Sequence, residues 1–247
     1  MTKGKANKIL RIASYNIRKS VGLDWKRDSA RILEVLREID ADIIALQEAD
    51  KRLGERPGTL SESGLKTKLG YQFADLDMNA VSHGWHGNAI LYRAPFKLIS
   101  CERIEIPNLE PRGAICGTFT SASGSKFSLI GTHLSLLGRM RASQVEFLSR
   151  IIKSNAVKTP AIIAGDFNEW HPKGKAYRAV GDGFEIITPG PSFHSSKPVA
   201  ALDRFVISDD LVVVNSHVHT TALSKKASDH LPIVMDVTFK DLSKRKD

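Results

Sequence analysis

Cysteine is scarce in this chain: Cys101 and Cys116 are the only two among 247 residues. A small fold stapled by several disulfides is excluded, and two reduced thiols in a cytosolic protein are expected rather than one bridge. No apolar run is long enough to cross a bilayer. The first residues are basic, but Ile9 and Leu10 are followed at once by Arg11. The apolar core of a secretory signal is missing, so the expected location is cytoplasmic. Internal repeats, low-complexity tracts and Pro/Gly/Ser-rich linkers are also lacking. That predicts a single domain over 1–247, with an ordered core at about 9–240 and basic, mobile tails.

Negative charge is in deficit. The chain has 36 Lys and Arg against 27 Asp and Glu, a net charge of +9 and a pI near 9.6. The surplus points to a polyanionic partner: nucleic acid, anionic lipid or phosphorylated small molecules. Part of it belongs to the tails (Lys3, Lys5 and Lys8; Lys240, Lys244, Arg245 and Lys246), so placement says more than the sum.

Hydrophobic spacing predicts strands over 9–15, 42–46, 88–92, 97–106, 114–119, 126–132, 161–164, 202–207, 212–219 and 233–239. Helical spacing marks 27–39, with Asp24 or Asp28 as start signal, and 141–152. Many strands with few helices predict a mixed-sheet sandwich covered by helices.

The strands finish on unusual groups. The first ends Tyr15-Asn16-Ile17-Arg18 and the second Leu46-Gln47-Glu48. Later ones give Thr132-His133-Leu134 and Gly165-Asp166-Phe167-Asn168, and the C-terminal third adds Leu202-Asp203-Arg204 and Ser228-Asp229-His230-Leu231-Pro232. A carboxylate just after a buried strand packs poorly but suits a site at the sheet's edge. Carboxylate and amide oxygens are what a hard cation such as Mg²⁺ selects, and no Cys or paired His joins them as a zinc site would need. Alone, Asn16 reads as a turn residue, His133 as a core histidine and Arg112 as a surface charge; together they read as a site.

The set YNIR, LQE, GNAIL, THL, GDFN and SDHLP resembles the endonuclease/exonuclease/phosphatase (DNase I-like) superfamily, with the motifs in family order from Asn16 to Pro232. The resemblance implies an α/β fold of four layers, two packed mixed β-sheets flanked by helices. It also implies Mg²⁺- or Mn²⁺-dependent hydrolysis of a phosphoester by in-line attack of water. Carried over by position, Glu48 is the principal metal ligand, Asn16 supports the ion and Asp229 is a further carboxylate around it. His230 is the general base or the holder of the scissile phosphate, and Asp203 fixes its tautomer. Asp166 and Asn168 orient water and phosphate oxygens, while His133 and Arg112 contact phosphate. Abasic-site endonucleases of this family keep a Tyr at the His133 position, which argues against that activity.

The segments after the site-bearing strands are basic: Arg18, Lys19, Lys26 and Arg27; Lys51, Arg52 and Arg56; Arg139 and Arg141; and Lys173 and Lys175. Lys225 and Lys226 precede Asp229 and His230. All three tryptophans, Trp25, Trp85 and Trp170, share these loops. Arg18 and Trp170 are therefore expected to bind substrate on a basic rim with aromatic platforms, and residues 54–70 to form a flap. His83, His86, His171 and His194 are expected in solvent, and His217 and His219 on one exposed strand face. The resulting expectation is a monomeric nuclease acting on DNA or RNA. The alternative is a phosphodiesterase or phosphatase acting on a phospholipid, inositol phosphate or other small phosphoester.

Overall fold

The computed structural model describes residues 9–51, 55–75, 81–154, 159–171 and 173–240; most of the two basic tails, and Arg52, lie outside these. The described residues form two six-stranded sheets. The first contains β1 (Leu10–Asn16), β2 (Ile43–Gln47), β3 (Tyr71–Phe73), β4 (Ala89–Arg93), β11 (Leu211–Val218) and β12 (Ile233–Phe239), in the order β11-β12-β1-β2-β4-β3. The second contains β5 (Lys97–Ile104), β6 (Ala114–Thr120), β7 (Lys126–His133), β8 (Ala161–Asp166), β9 (Phe184–Ile187) and β10 (Asp203–Ser208), in the order β5-β6-β7-β8-β10-β9.

Each sheet is built around one parallel pair. The helix Ser29–Ile39 joins β1 to β2, and the helix Gly138–Ser154 joins β7 to β8. Asp28 is the start signal of the first helix, its side chain accepting from the Arg31 amide at 3.1 Å. That helix buries Ile32, Leu33, Val35, Leu36 and Ile39 on the outer face of the first sheet. The second helix sets Val145 and Leu148 against Ile130, Ile163 and Val206 on the outer face of the second. A third apolar layer lies between the sheets, so the four-layer α/β/β/α expectation holds.

The inter-sheet layer changes character along its length. The inward residues of β1 run Leu10, Ile12, Ser14, Asn16, and those of β2 run Ile43, Ala45, Gln47. In β8 they run Ile162, Ala164, Asp166, and in β10 Ile207, Phe205, Asp203. The period-two alternation continues while the side chains turn from hydrocarbon to amide and carboxylate. The ionic end coincides with the carboxyl ends of both parallel pairs, where α/β sheets place their ligands.

Several boundaries differ from the sequence expectation. The second helix begins at Gly138 rather than 141, because its first turn holds one apolar residue, Met140, among Gly138, Arg139 and Arg141, too little to register in the pattern. β3 and β9 are short edge strands that hydrophobic spacing passed over. Within 54–70 the described part is not an open flap. Ser61 caps the turn Glu62–Gly64, a π-helical turn Leu65–Leu69 follows, and Leu60 and Leu65 are buried in the first sheet's outer cluster.

Gly165 is required where β7 and β8 meet beside the site, since a Cβ there would lie 1.9 Å from the Thr132 carbonyl oxygen. Gly165→Ala is expected to destabilise the fold by about 2–3 kcal/mol through overpacking against fixed backbone. Urea unfolding of the variant checks this, and an unchanged midpoint would refute it.

Candidate active site

Register does much of the assembly. Asp203, Asp166 and His133 are direct partners across β10, β8 and β7, and so form one row on the inward face of the second sheet. From the first sheet, Asn16 Nδ2 donates to Asp166 Oδ2 at 3.1 Å. His230, from the turn leading into β12, brings Nε2 to 3.6 Å from the same oxygen, and His133 Nε2 lies 3.4 Å from it. Asp166 Oδ1 accepts the Asn168 amide at 2.9 Å, closing an Asx-type turn, and Asn168 Nδ2 donates to the Leu134 carbonyl at 2.9 Å. Asp166 is thus held from every side.

The other nitrogen of His230 is equally constrained: Nδ1 lies 2.8 Å from Asp203 Oδ2, which also accepts from Ser192 Oγ at 2.5 Å. Ser228 Oγ donates to the Asn16 carbonyl at 2.7 Å and ties the His230 turn to the end of β1. Asp203 Oδ1 is buried and has no hydrogen-bond partner among the described residues. The compensation for this buried carboxylate therefore rests on Oδ2 and its imidazole.

The two histidines titrate in opposite directions. Burial works against charge on His230, yet Asp203 and Asp166 together outweigh it and push its pKa up to about 10. For His133 burial prevails over the attraction of Asp166, and its pKa falls to about 4. At neutral pH one ring is a cation and the other is neutral.

Glu48 follows β2 in a left-handed conformation, φ 52°, and Asn168 does the same at φ 50°. Non-glycine residues held there cost about 1–3 kcal/mol each and concentrate at functional sites. Glu48 shares a cavity of about 520 Å³ with Lys19, Arg56, His86, Arg112 and His133. Its carboxylate contacts the Lys19 ammonium, so a positive charge already rests on it.

Among the described residues, two groups could hold a metal. Asp166, Asp203 and His230 bring ligand atoms within 4.8 Å of one another. That group fits poorly, because its imidazole is sandwiched between carboxylates and a metal would have to displace the proton they retain. The better fit is the oxygen set of Glu48, the Asn16 amide and Asp229, with Lys19 marking the cation position on Glu48. Arg18 links Asn16 to Asp229, its amide donating to Asn16 Oδ1 at 3.1 Å and its Nε lying 3.4 Å from Asp229, and the next residue, Lys19, donates its amide to the Glu48 carbonyl at 2.9 Å.

The remaining candidates divide. Arg112 lines the cavity and pairs with Glu110 at 3.3 Å. Arg18 stacks 4.5 Å over the exposed Trp25 ring. Trp170 is exposed and meets Phe193 edge-on at 5.6 Å, and Phe193 lies 5.0 Å from the His230 ring. Phe193 and Ser192 were missed by sequence reasoning, since a Ser-Phe pair in an irregular, Pro- and Ser-containing stretch carries no signal.

Four expectations are corrected. His83 is buried, stacks on Phe73 at 4.2 Å and bonds the Leu60 backbone, so it is structural. His86 lines the cavity instead of facing solvent. Arg141 is buried against Glu169 and donates to the Ser135 and Leu136 carbonyls, so it is no rim charge. Trp85 packs against the inter-sheet core, unlike Trp25 and Trp170.

With this geometry in view, the Endonuclease/Exonuclease/phosphatase family model matches residues 13–230, and the chain belongs to that family. Members are hydrolases of phosphoester bonds that depend on divalent metal. The chain is similar to the uncharacterized protein YbhP of Escherichia coli (strain K12), 27% identical over 223 residues covering 83% of this chain and 86% of YbhP. It resembles D. rerio TDP2 solved with a single-strand DNA product: TM-score 0.73, 18% identity, 93% of this chain and 99% of that one. It also resembles the Bacteroides thetaiotaomicron mannosyl-6-phosphatase Bt3783: TM-score 0.71, 19% identity, 93% and 100% covered. At such identities the structural likenesses establish the fold alone.

Acid sensitivity follows from His133. Its folded pKa of about 4 lies below the ordinary 6.5, so the unfolded chain takes the proton first as pH falls. Its contribution is intact above 6.5, erodes between 6.5 and 4 and is gone below, a loss of roughly 3 kcal/mol at most. In urea titrations across this window, His133→Gln is expected to lose less stability than the wild type. Parallel losses would contradict it.

Proposed function

We propose that this protein is a Mg²⁺- or Mn²⁺-dependent phosphodiester hydrolase whose substrate is DNA or RNA. The observation that carries the reading is the Asp203–His230–Asp166 array next to the Glu48 cavity, a charged relay beside an oxygen-rich cation position. Glu48, Asn16 and Asp229 would hold a divalent cation, which would supply neutralisation of the phosphate oxygens.

The chain's own groups do the rest. His230 enters the reaction protonated, held by Asp203, and its Nε2–H offers charge and a hydrogen bond to a phosphate oxygen. Asp166, fixed by Asn16 and Asn168, orients the attacking water. For His230 to act as base its pKa must first fall, which positive charge at Glu48 favours. Neutral His133 donates to the phosphate at no electrostatic cost to the neighbouring imidazolium. Trp25 and Trp170, exposed on site-side loops, suit stacking on unpaired bases, and the Lys and Arg residues around the mouth suit the backbone.

A second reading, a phospholipid or other small phosphoester, is favoured by one feature. Leu109, Leu136 and Leu137 are 78%, 64% and 52% exposed, and Leu136 lines the cavity. Apolar tips beside a basic mouth also suit a membrane surface.

The test is a side-by-side assay of single-stranded DNA, double-stranded DNA, RNA, anionic phospholipid vesicles and a chromogenic diester. Cleavage of a nucleic acid is expected with Mg²⁺ or Mn²⁺, abolished by EDTA and weakened steeply by salt. His230→Ala is expected to lower the rate by about 10²–10⁴-fold, and Glu48→Gln to raise the metal concentration needed. Turnover of lipid alone would transfer the assignment to the second reading. No turnover of any phosphoester would end both.

A further inference from the structure

The cavity carries positive charge that the hydrolytic step does not use. Among its cations Lys19 pairs with Glu48, and Arg112 with Glu110. Lys51 and Arg56 also line it, and among the described residues neither has a carboxylate at ion-pair distance. Asp50, close by, is committed elsewhere, accepting from the His83 amide at 2.9 Å and Ser82 Oγ at 2.6 Å.

Arg56 is not a loose surface charge. Its Nη1 donates to His86 Nδ1 at 2.9 Å. A guanidinium can only donate, so Nδ1 is bare and the ring carries its proton on Nε2. His86 is seated in turn because residue 113 is glycine: a Cβ there would come 2.5 Å from the Trp85 ring and 3.0 Å from His86 Cδ2. Trp85 packs on the inter-sheet core, so the Arg56–His86 pair is anchored to the sandwich.

We propose that Arg56, His86 and Lys51 form a second anion subsite, which holds a phosphate other than the one being cleaved. The substrate then carries two phosphates within a cavity of about 520 Å³, a size that suits one nucleotide-sized unit. The second phosphate is a neighbouring backbone phosphate of a polynucleotide or the second phosphate of a small molecule. The assignment of the substrate rests on the hydrolase reading above, but its test reads binding and stands apart from turnover.

The experiment is calorimetric titration of the full chain, with Mg²⁺ present, using thymidine 3′,5′-bisphosphate, the two thymidine monophosphates, glucose 1,6-bisphosphate and glucose 6-phosphate; none is a diester. A bisphosphate is expected to bind at least about tenfold more tightly than its monophosphates, the scale of one charge-assisted contact. Arg56→Gln should bring that ratio toward one and Arg56→Lys should restore part of it. Lys51→Gln is the second variant, should the loop tolerate Arg56→Gln poorly. Lys97→Gln, at the opposite end of the second sheet from Gly113, controls for net charge and should leave the ratio unchanged. Preference for the nucleoside pair assigns the subsite to nucleic acid, and preference for the sugar pair to a small bisphosphate. Equal affinities for bis- and monophosphates in both pairs, or a ratio untouched by Arg56→Gln and Lys51→Gln, would overturn the proposal.

Discussion

One carboxylate oxygen, Asp166 Oδ2, receives nitrogens from both sheets: Asn16 and His230 from the first, His133 from the second. Beside it His230 crosses again to Asp203. These contacts close the polar end of a layer that is hydrocarbon elsewhere, and they decide how the sheets are set against each other there. Apolar side chains would hold the leaves together at almost any small offset. The directional bonds Asn16–Asp166 at 3.1 Å and His230–Asp203 at 2.8 Å tie the leaves in a specific register there.

The electrostatics follow from that alignment. Burying Asp166 and Asp203 without compensation would be prohibitive, and the cationic ring of His230 supplies it. His133, a few ångströms away, stays neutral, since a second buried cation on the same carboxylate would gain little and lose its hydration. The difference between the rings thus comes from partner count: His230 faces two carboxylates and His133 chiefly one.

Much of this was legible in the sequence because the strands are regular. Asn16, Asp166 and Asp203 fall at the parity of inward residues such as Ile12, Ala164 and Phe205, so polar groups at strand ends marked both a face and an edge. The helix start at Asp28 was legible for a local reason, its bond to Arg31. What escaped depends on long-range contact. Ser192 is one serine among many until Asp203 lies beside it, and His83 looked like a loop residue until Phe73 and Leu60 enclosed it. Arg141 looked like rim charge because sequence does not show Glu169 waiting beneath the helix. β3 and β9 are too short to display a period.

The two halves resemble each other: each has a parallel pair spanned by one helix, and each contributes an incomplete set of polar groups. The second sheet alone would contain the row Asp203–Asp166–His133 with no imidazolium to balance it, and the first would contain Glu48 and His230 without the Asp203 carboxylate that holds the ring. Neither leaf is chemically competent by itself. The candidate site therefore exists only where the two sheets dock, and any change that lets the leaves slide apart takes the constellation apart before it touches a single strand.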